Sequence, residues 1–242
     1  MNIWICGNSH LAALRRGYVN IEPPKPLLKF FPLGSGSCVW EDFSAANSEG
    51  VYLTAEEFAE RFAKATNLDY FDPEDVWGIC IGGHSPRLYA GANWKSSRPS
   101  HLQTGQKRPI SLGLLDALIE YDHKYIFRFF KRLKAAKIKF FVIATPPPPE
   151  NYHDGRRLDE VETMGFIEQR ARDRFKRLIE KEEIDYVDLP ENITDENGFI
   201  KKEYKLQFMH NGRHDGHHAN ESFGQLMVEN ITDFLHDKNH IE

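Results

Sequence analysis

Residues 2–10 of the chain read Asn-Ile-Trp-Ile-Cys-Gly-Asn-Ser-His, and this stretch decides the fold. The short apolar run Asn2–Cys6 ends at Gly7, and polar residues follow before the helix-compatible stretch Leu11–Gly17. A continuous apolar run that stops at a glycine is typical of a buried strand, and the polar residues after it mark a tight turn. The chain is therefore predicted to open with a strand, a turn and a helix.

Four further apolar runs have the length and residue types of buried strands. They are Leu27–Phe31, Val76–Ile81, Ile138–Ala144 and Ile184–Leu189. Helical periodicity separates them, most clearly in three segments at Leu112–Lys137, Leu158–Glu182 and Ala219–His236. Strands that alternate with helices predict an α/β fold, a three-layer α/β/α sandwich with a mostly parallel five-stranded sheet. In such a sheet, ligands bind outside the carboxyl ends of the strands.

The length and composition fit one domain that spans residues 1–242. The net charge is −5, with 36 acidic and 31 basic residues, so we expect no nucleic-acid partner. Cys6, Cys38 and Cys80 are expected to be free thiols in a reducing compartment. No apolar run is long enough to span a membrane, and the N-terminus does not resemble a signal peptide. We therefore expect a soluble, cytoplasmic protein with no membrane partner.

Ser9 lies between the first predicted strand and the first predicted helix. The N-terminus of a helix offers backbone N–H donors and a favourable dipole for a developing oxyanion, which suits a nucleophile. The alternative is that Ser9 only caps the helix, since serine is a preferred N-cap residue.

Just before the last predicted helix the chain reads Asp215-Gly-His-His218-Ala-Asn220. A nucleophilic serine needs a base to take its proton, and the base needs a carboxylate that fixes its tautomer. Asp215 and His218 are three residues apart and can meet on a turn. The alternative is a solvated polar loop in which Asp215 or Asn220 caps the helix.

Together these two motifs resemble those of the SGNH hydrolases, also called GDSL-type esterases. That family has a Gly-x-Ser turn after its first strand and an Asp-x-x-His turn before its last helix; here they are Gly7–Ser9 and Asp215–His218. The resemblance implies the flavodoxin-like SGNH fold, with Ser9 as nucleophile and oxyanion donor, His218 as base and Asp215 as its partner. It also implies a second donor, the N–H of Gly34 or Gly36, of which we expect Gly36.

Two positions depart from the family pattern. The third strand is followed by Gly82-Gly83-His84-Ser85, so His84 occupies the place of the asparagine whose side chain donates to the oxyanion in the family. A histidine N–H is able to donate too, and we expect His84 to complete the oxyanion hole. Asn8 stands where the common form of the family has aspartate.

Residues 85–111 show no regular period and contain several glycine and proline breaks, which predicts a long loop. Arg87 and Trp94 on this loop are candidate substrate-binding residues. An indole ring stacks on a sugar face, and a guanidinium pairs with a carboxylate, a sulfate or a phosphate. The alternative is a mobile surface lid whose charges are only solvated.

Four histidines precede the last predicted helix: His210, His214, His217 and His218. Their spacing would bring the rings together on a helix, but Gly212 and Gly216 indicate turns. The partner cysteines or carboxylates of a structural zinc site are also missing. We therefore expect no metal site and no cofactor.

Three functions are compatible with these residues. The favoured one is a serine esterase that removes a small acyl group, such as acetyl from a carbohydrate, through an acyl-enzyme on Ser9. The second is an O-acyltransferase that uses the same triad to modify a glycan. The third is a glycan-binding protein that keeps the fold without catalysis.

Overall fold

The computed structural model describes residues 1–23, 25–89, 94–102, 105–149, 158–208, 212, 215 and 217–241. The strands in chain order are β1 (Ile3–Gly7), β2 (Leu28–Pro32), β3 (Ser44–Ala46), β4 (Val51–Leu53), β5 (Val76–Cys80), β6 (Ser97–Pro99), β7 (Arg108–Ile110), β8 (Lys139–Ile143) and β9 (Asp185–Val187). The α-helices are α1 (Leu11–Asn20), α2 (Glu56–Thr66), α3 (Pro86–Tyr89), α4 (Leu112–Ala135), α5 (Leu158–Lys181) and α6 (Glu221–Asp237).

The main sheet contains five parallel strands in the order β2-β1-β5-β8-β9. These are the five strands predicted from the sequence, so the predicted α/β fold is confirmed. Because all five run in the same direction, their carboxyl ends meet at one edge of the sheet. The residues that follow β1, β5 and β8 therefore lie close together at that edge.

Alternate residues of β1 pack on opposite faces of the sheet, as the period of a strand requires. Ile3 and Ile5 join a core with α1 and α6, whereas Trp4 and Cys6 join a second core with α2, α4 and α5. Helices therefore cover both faces, which gives the three layers. None of the helices in the described part of the chain is both long and apolar enough to cross a bilayer.

The helices α1 and α6 cross with their backbones in direct contact. A Cβ atom added to Gly224 would lie 1.8 Å from the carbonyl oxygen of Ala13, and one added to Gly17 would lie 2.1 Å from the nitrogen of Gln225. Only glycine permits this approach. Since α1 follows Ser9 and α6 follows the Asp-x-x-His turn, the crossing fixes the two motifs relative to each other.

Within residues 85–111, the described positions contain more regular structure than the predicted loop. The described part contains the one-turn helix α3 and the parallel pair of β6 with β7. Tyr89 and Trp94 are buried in a third apolar cluster against Leu115 and Met164. The prediction failed because this packing is tertiary and leaves no period in the sequence.

Candidate active site

Ser9 lies on an exposed turn between β1 and α1. The turn is held from both sides: the N–H of Asn8 donates to the carbonyl of Cys80 (3.4 Å), and the side-chain oxygen of Asn8 accepts from the N–H of His10 (3.0 Å). The N-cap residue of α1 is His10. Ser9 is therefore not the cap, and its hydroxyl is available for chemistry.

Asp215 and His218 form a hydrogen-bonded pair on the turn before α6. Nδ1 of His218 lies 2.8 Å from Oδ2 of Asp215, and Oδ1 of Asp215 accepts from the N–H groups of His217 (2.7 Å) and His218 (2.8 Å). Burial would raise the pKa of the Asp215 carboxyl, but these hydrogen bonds hold it below its usual value. The carboxylate therefore accepts from Nδ1–H, and Nε2 of His218 keeps its lone pair.

A neighbouring extended segment holds this turn in place. The N–H of Leu206 donates to the carbonyl of His218 (2.9 Å), and the N–H of Asp215 donates to the carbonyl of Gln207 (2.8 Å). Asn220 caps α6 by accepting from the N–H of Phe223 (3.2 Å). The capping role considered for Asn220 is confirmed, and it coexists with the Asp215–His218 pair.

Ser9, Asp215 and His218 line one cleft of about 330 Å³ with mostly apolar walls that include Phe30 and Pro32. Nε2 of His218 is buried and has no hydrogen-bond partner among the described residues, Ser9 included. Catalytic hydrogen bonds are often long before substrate binds. The structure thus brings the three predicted triad residues to one cleft, with the serine not yet bonded to the base.

A second, more polar cleft of about 320 Å³ adjoins Ser9 on the other side, and Gly36 and His84 line it. Gly34 does not: a Cβ atom there would lie 2.5 Å from Cδ of Glu57, which packs against it. Within the described residues, nothing accepts a hydrogen bond from the N–H of Ser9 or of Gly36. Of the two glycines, Gly36 is therefore the one that lines this cleft, with an N–H from which no described residue accepts.

His84 is bonded in a way that the sequence did not predict. The Thr145 hydroxyl donates to the carbonyl of Gly82 (2.8 Å), so its oxygen accepts from Nδ1 of His84 (2.9 Å). Burial, aided by the charge of Arg172, holds the pKa of His84 well below its usual value. The neutral ring then carries its proton on Nδ1 and a lone pair on Nε2. In this ring state Nε2 has no proton, so the predicted donation from His84 to an oxyanion requires the other tautomer.

The two predicted substrate-binding residues differ in position. Trp94 is only 3% exposed, and its indole N–H donates to the carbonyl of Leu88 (2.8 Å), so it is a core residue and the prediction for it is wrong. Arg87 lies at the rim of the polar cleft: it pairs with Asp122 (2.6 Å), and its guanidinium lies 5.0 Å from the ring centroid of Trp40. Trp40 itself is 42% exposed and lines the polar cleft.

His10 is the site residue that sequence reasoning missed. It is 4% exposed, and its ring contacts those of His84, His217 and His218 at centroid distances of 5.2, 4.8 and 5.4 Å. Burial, reinforced by these imidazoles, holds the pKa of His10 well below its usual value. A ligand atom from each of His10, His217 and His218 lies within 4.8 Å of the other two. The sequence-based view of a metal site considered only the C-terminal histidines, of which His210 and His214 lie outside the described residues.

Solved structures resemble this fold over almost the entire chain. A GDSL-like lipase from Bacteroides thetaiotaomicron aligns over 98% of this chain and 88% of its own, with a TM-score of 0.53 and 15% identity. An inferred acylhydrolase from Bacteroides fragilis aligns over 98% and 87%, with a TM-score of 0.50 and 15% identity. No protein-family model matches the sequence, and no curated protein matches it. The chain therefore has the SGNH, or GDSL-type, hydrolase fold.

Proposed function

We propose that the protein is a serine esterase that removes a small acyl group from an ester through an acyl-enzyme on Ser9. One observation carries the proposal: the Asp215–His218 pair, its tautomer fixed by the carboxylate, lines the same cleft as an exposed serine. This is the arrangement that activates a serine hydroxyl in serine hydrolases.

In the first half of the reaction, Nε2 of His218 takes the proton of the Ser9 hydroxyl as Oγ attacks the ester carbonyl carbon. The C–O bond to the alcohol then breaks, and the protonated His218 returns the proton to the departing alcohol. In the second half, His218 takes a proton from the water that attacks the acyl-enzyme. The bond between Ser9 Oγ and the acyl carbon then breaks, His218 gives the proton to Oγ, and the acid leaves. Asp215 stabilises the imidazolium in both halves.

The carbonyl oxygen becomes negative in both tetrahedral intermediates. Ser9 and Gly36 both line the polar cleft, and their N–H groups supply two donors for the oxyanion. The neutral His84 presents no proton from Nε2. Because one oxyanion donor contributes about 10²–10³-fold to the rate, turnover with two donors is expected to be modest.

The two clefts that meet at Ser9 support an ester with one apolar and one polar portion. Phe30 and Pro32 provide an apolar wall for the acyl group. Trp40, beneath the guanidinium of Arg87, offers an aromatic surface on which a sugar ring can stack. An O-acetylated carbohydrate therefore matches the site, and Trp40 takes the role first assigned to Trp94.

One observation favours a second function, glycan binding without turnover. His84 lines the polar cleft beside Ser9 and Gly36, and in this ring state its Nε2 carries a lone pair in place of a proton. A protein that binds an acylated sugar would use this nitrogen to accept from a sugar hydroxyl. The intact Asp215–His218 pair argues against glycan binding without turnover, since binding alone does not require an activated base.

Hydrolysis of O-acetylated sugars tests the proposal. Release of acetate by the wild type, abolished in Ser9→Ala and weakened through KM in Trp40→Ala, is the expected result. The assay is repeated with an unmodified sugar acceptor, because acyl transfer in excess of hydrolysis would identify an acyltransferase instead. Saturable binding of acetylated sugars with no acetate release from the wild type would refute the esterase proposal and support the binding protein.

A further inference from the structure

Three imidazoles converge beside Ser9. The rings of His217 and His218 lie 4.6 Å apart between centroids, and His10 packs against both. The ligand atoms of the three residues lie within 4.8 Å of one another. They come from the two ends of the chain and meet because α1 crosses α6 at Gly17 and Gly224.

Two of the ring nitrogens in this cluster are buried without a hydrogen-bond partner among the described residues, namely Nδ1 of His10 and Nε2 of His218. An unpaired buried nitrogen costs about 1–3 kcal/mol, so its presence calls for an explanation. Nε2 of His218 is accounted for by its role as base. Nδ1 of His10 has no role in the proposed reaction, and the ring that carries it packs against the rings of His217 and His218.

We propose that His10, His217 and His218 bind a divalent transition-metal ion of the zinc class, and that the bound ion inhibits the esterase. The inhibition follows because the metal takes the Nε2 lone pair of His218, which is the pair that accepts the Ser9 proton. The inhibitory half rests on the proposed function, whereas metal binding itself does not.

The donor set selects the metal. Three neutral imidazoles suit zinc, cobalt, nickel and copper, whereas calcium and magnesium prefer oxygen ligands. Zinc–nitrogen distances of about 2.0–2.1 Å place tetrahedral ligands roughly 3.3 Å apart, so the rings must close by up to roughly 1.5 Å on binding. Three protein ligands leave the fourth position open to water.

The groups around the cluster favour a cation. Asp215 holds Nδ1 of His218, which is the carboxylate–histidine arrangement that orients metal ligands and raises their basicity. The positive charge of Arg172 also acts on His10 and would repel a cation, but the buried carboxylate of Glu168 pairs with Arg172 at 2.7 Å.

Metal binding is measured on the untagged, chelator-treated protein by calorimetry with Zn²⁺ and by the visible spectrum with Co²⁺. One Zn²⁺ per chain and the intense absorption of tetrahedral Co²⁺ are expected. His10→Ala and His217→Ala should each weaken Zn²⁺ binding more than about 100-fold, beyond the loss caused by removing an outer-shell partner. His236→Ala removes an exposed histidine at the end of α6 and should bind like the wild type.

Binding that persists in both cluster variants, or no stoichiometric binding by the wild type, would overturn the inference. Two variants are used because His10 is buried and His217 is half-buried, and thermal unfolding shows whether each is folded.

Inhibition by the bound metal is tested by measuring the rate at which a fluorophosphonate labels Ser9. For each protein the rate with Zn²⁺ is compared with the rate of the same protein without metal. Zn²⁺ should suppress labelling of the wild type and leave that of His10→Ala unchanged. Labelling that Zn²⁺ does not affect in the wild type would refute inhibition. No labelling even without metal would instead refute the esterase proposal and leave the calorimetric result to decide the metal site.

Discussion

A methyl group at position 224 would separate the helix that follows Ser9 from the helix that follows His218. In Gly224→Ala the new Cβ atom would lie 1.8 Å from the carbonyl oxygen of Ala13, and ordinary contact begins at 3.4 Å. The backbones of α1 and α6 must therefore move apart by roughly 1.6 Å at the crossing. Forced overpacking of this kind costs about 1–3 kcal/mol of stability or more.

The same movement displaces the nucleophile from its base. Because a misplacement of about 1 Å can cost about 10²-fold in rate, kcat/KM of Gly224→Ala should fall at least that far. The assays are guanidinium unfolding and hydrolysis of an activated acetyl ester, both at a temperature where the variant is folded.

Gly113→Ala is the matched control, since an added Cβ at this helical position meets no atom within 4 Å. Its activity should equal that of the wild type, and its stability should rise by about 0.4–1 kcal/mol. If Gly224→Ala kept the stability and activity of the wild type, the crossing would not position the two motifs.

Three further predictions follow from single side chains. Asp215→Asn should lower kcat by about 10⁴-fold without unfolding the protein, because the base loses the partner that fixes its tautomer; steady-state kinetics and circular dichroism check this. His84→Asn should raise kcat by up to about 10²-fold, the contribution of one oxyanion donor, because the amide supplies the N–H that Nε2 of the neutral ring lacks. An unchanged or lower kcat would contradict this. Burial would raise the pKa of Asp75, but hydrogen bonds from Asn2 (2.6 Å) and Trp4 (2.9 Å) hold it below its usual value of 3.8. The ionised Asp75 should therefore stabilise the fold above about pH 4, and this stabilisation should be lost as the pH falls through the lower pKa of the folded state. Urea titrations at falling pH should show the difference in unfolding free energy between the wild type and Asp75→Asn closing. A difference that does not change with pH would refute the prediction.

The main sheet was predictable because its strands are short apolar runs, and the residues of β1 and β5 are all buried. The first of these, at residues 2–6, is followed by a glycine that ends β1, and the same logic located the remaining four strands. The Asp215–His218 pair could also be predicted from the sequence, since a contact between residues three apart on a turn is local. Features that depend only on residues close together in the chain could therefore be predicted from the sequence.

The failures concern contacts between distant parts of the chain. Trp94 and Trp40 both lie outside the predicted strands and helices. Packing against Leu115 and its neighbours buries Trp94, whereas Trp40 is exposed. His10 meets His217 only through the crossing of α1 and α6. The proton on His84 depends on Thr145, which follows a different strand.

The choice between Gly34 and Gly36 also needed the structure. The two glycines are two residues apart with similar neighbours, and the contact of Gly34 with Glu57 in α2 separates them. Likewise, the segment at residues 204–207 that holds the Asp215–His218 turn has no motif of its own. Its role lies in backbone hydrogen bonds, which any sequence of extended residues is able to make.

The most direct test of the account is the reaction of the purified, metal-free protein with a fluorophosphonate probe, followed by peptide mass spectrometry. We predict one adduct on Ser9 that is lost in His218→Ala, because only a serine activated by that base reacts. An adduct on Ser9 of equal yield in His218→Ala, an adduct on another serine, or no adduct at all would contradict the claim that Ser9 is the activated nucleophile.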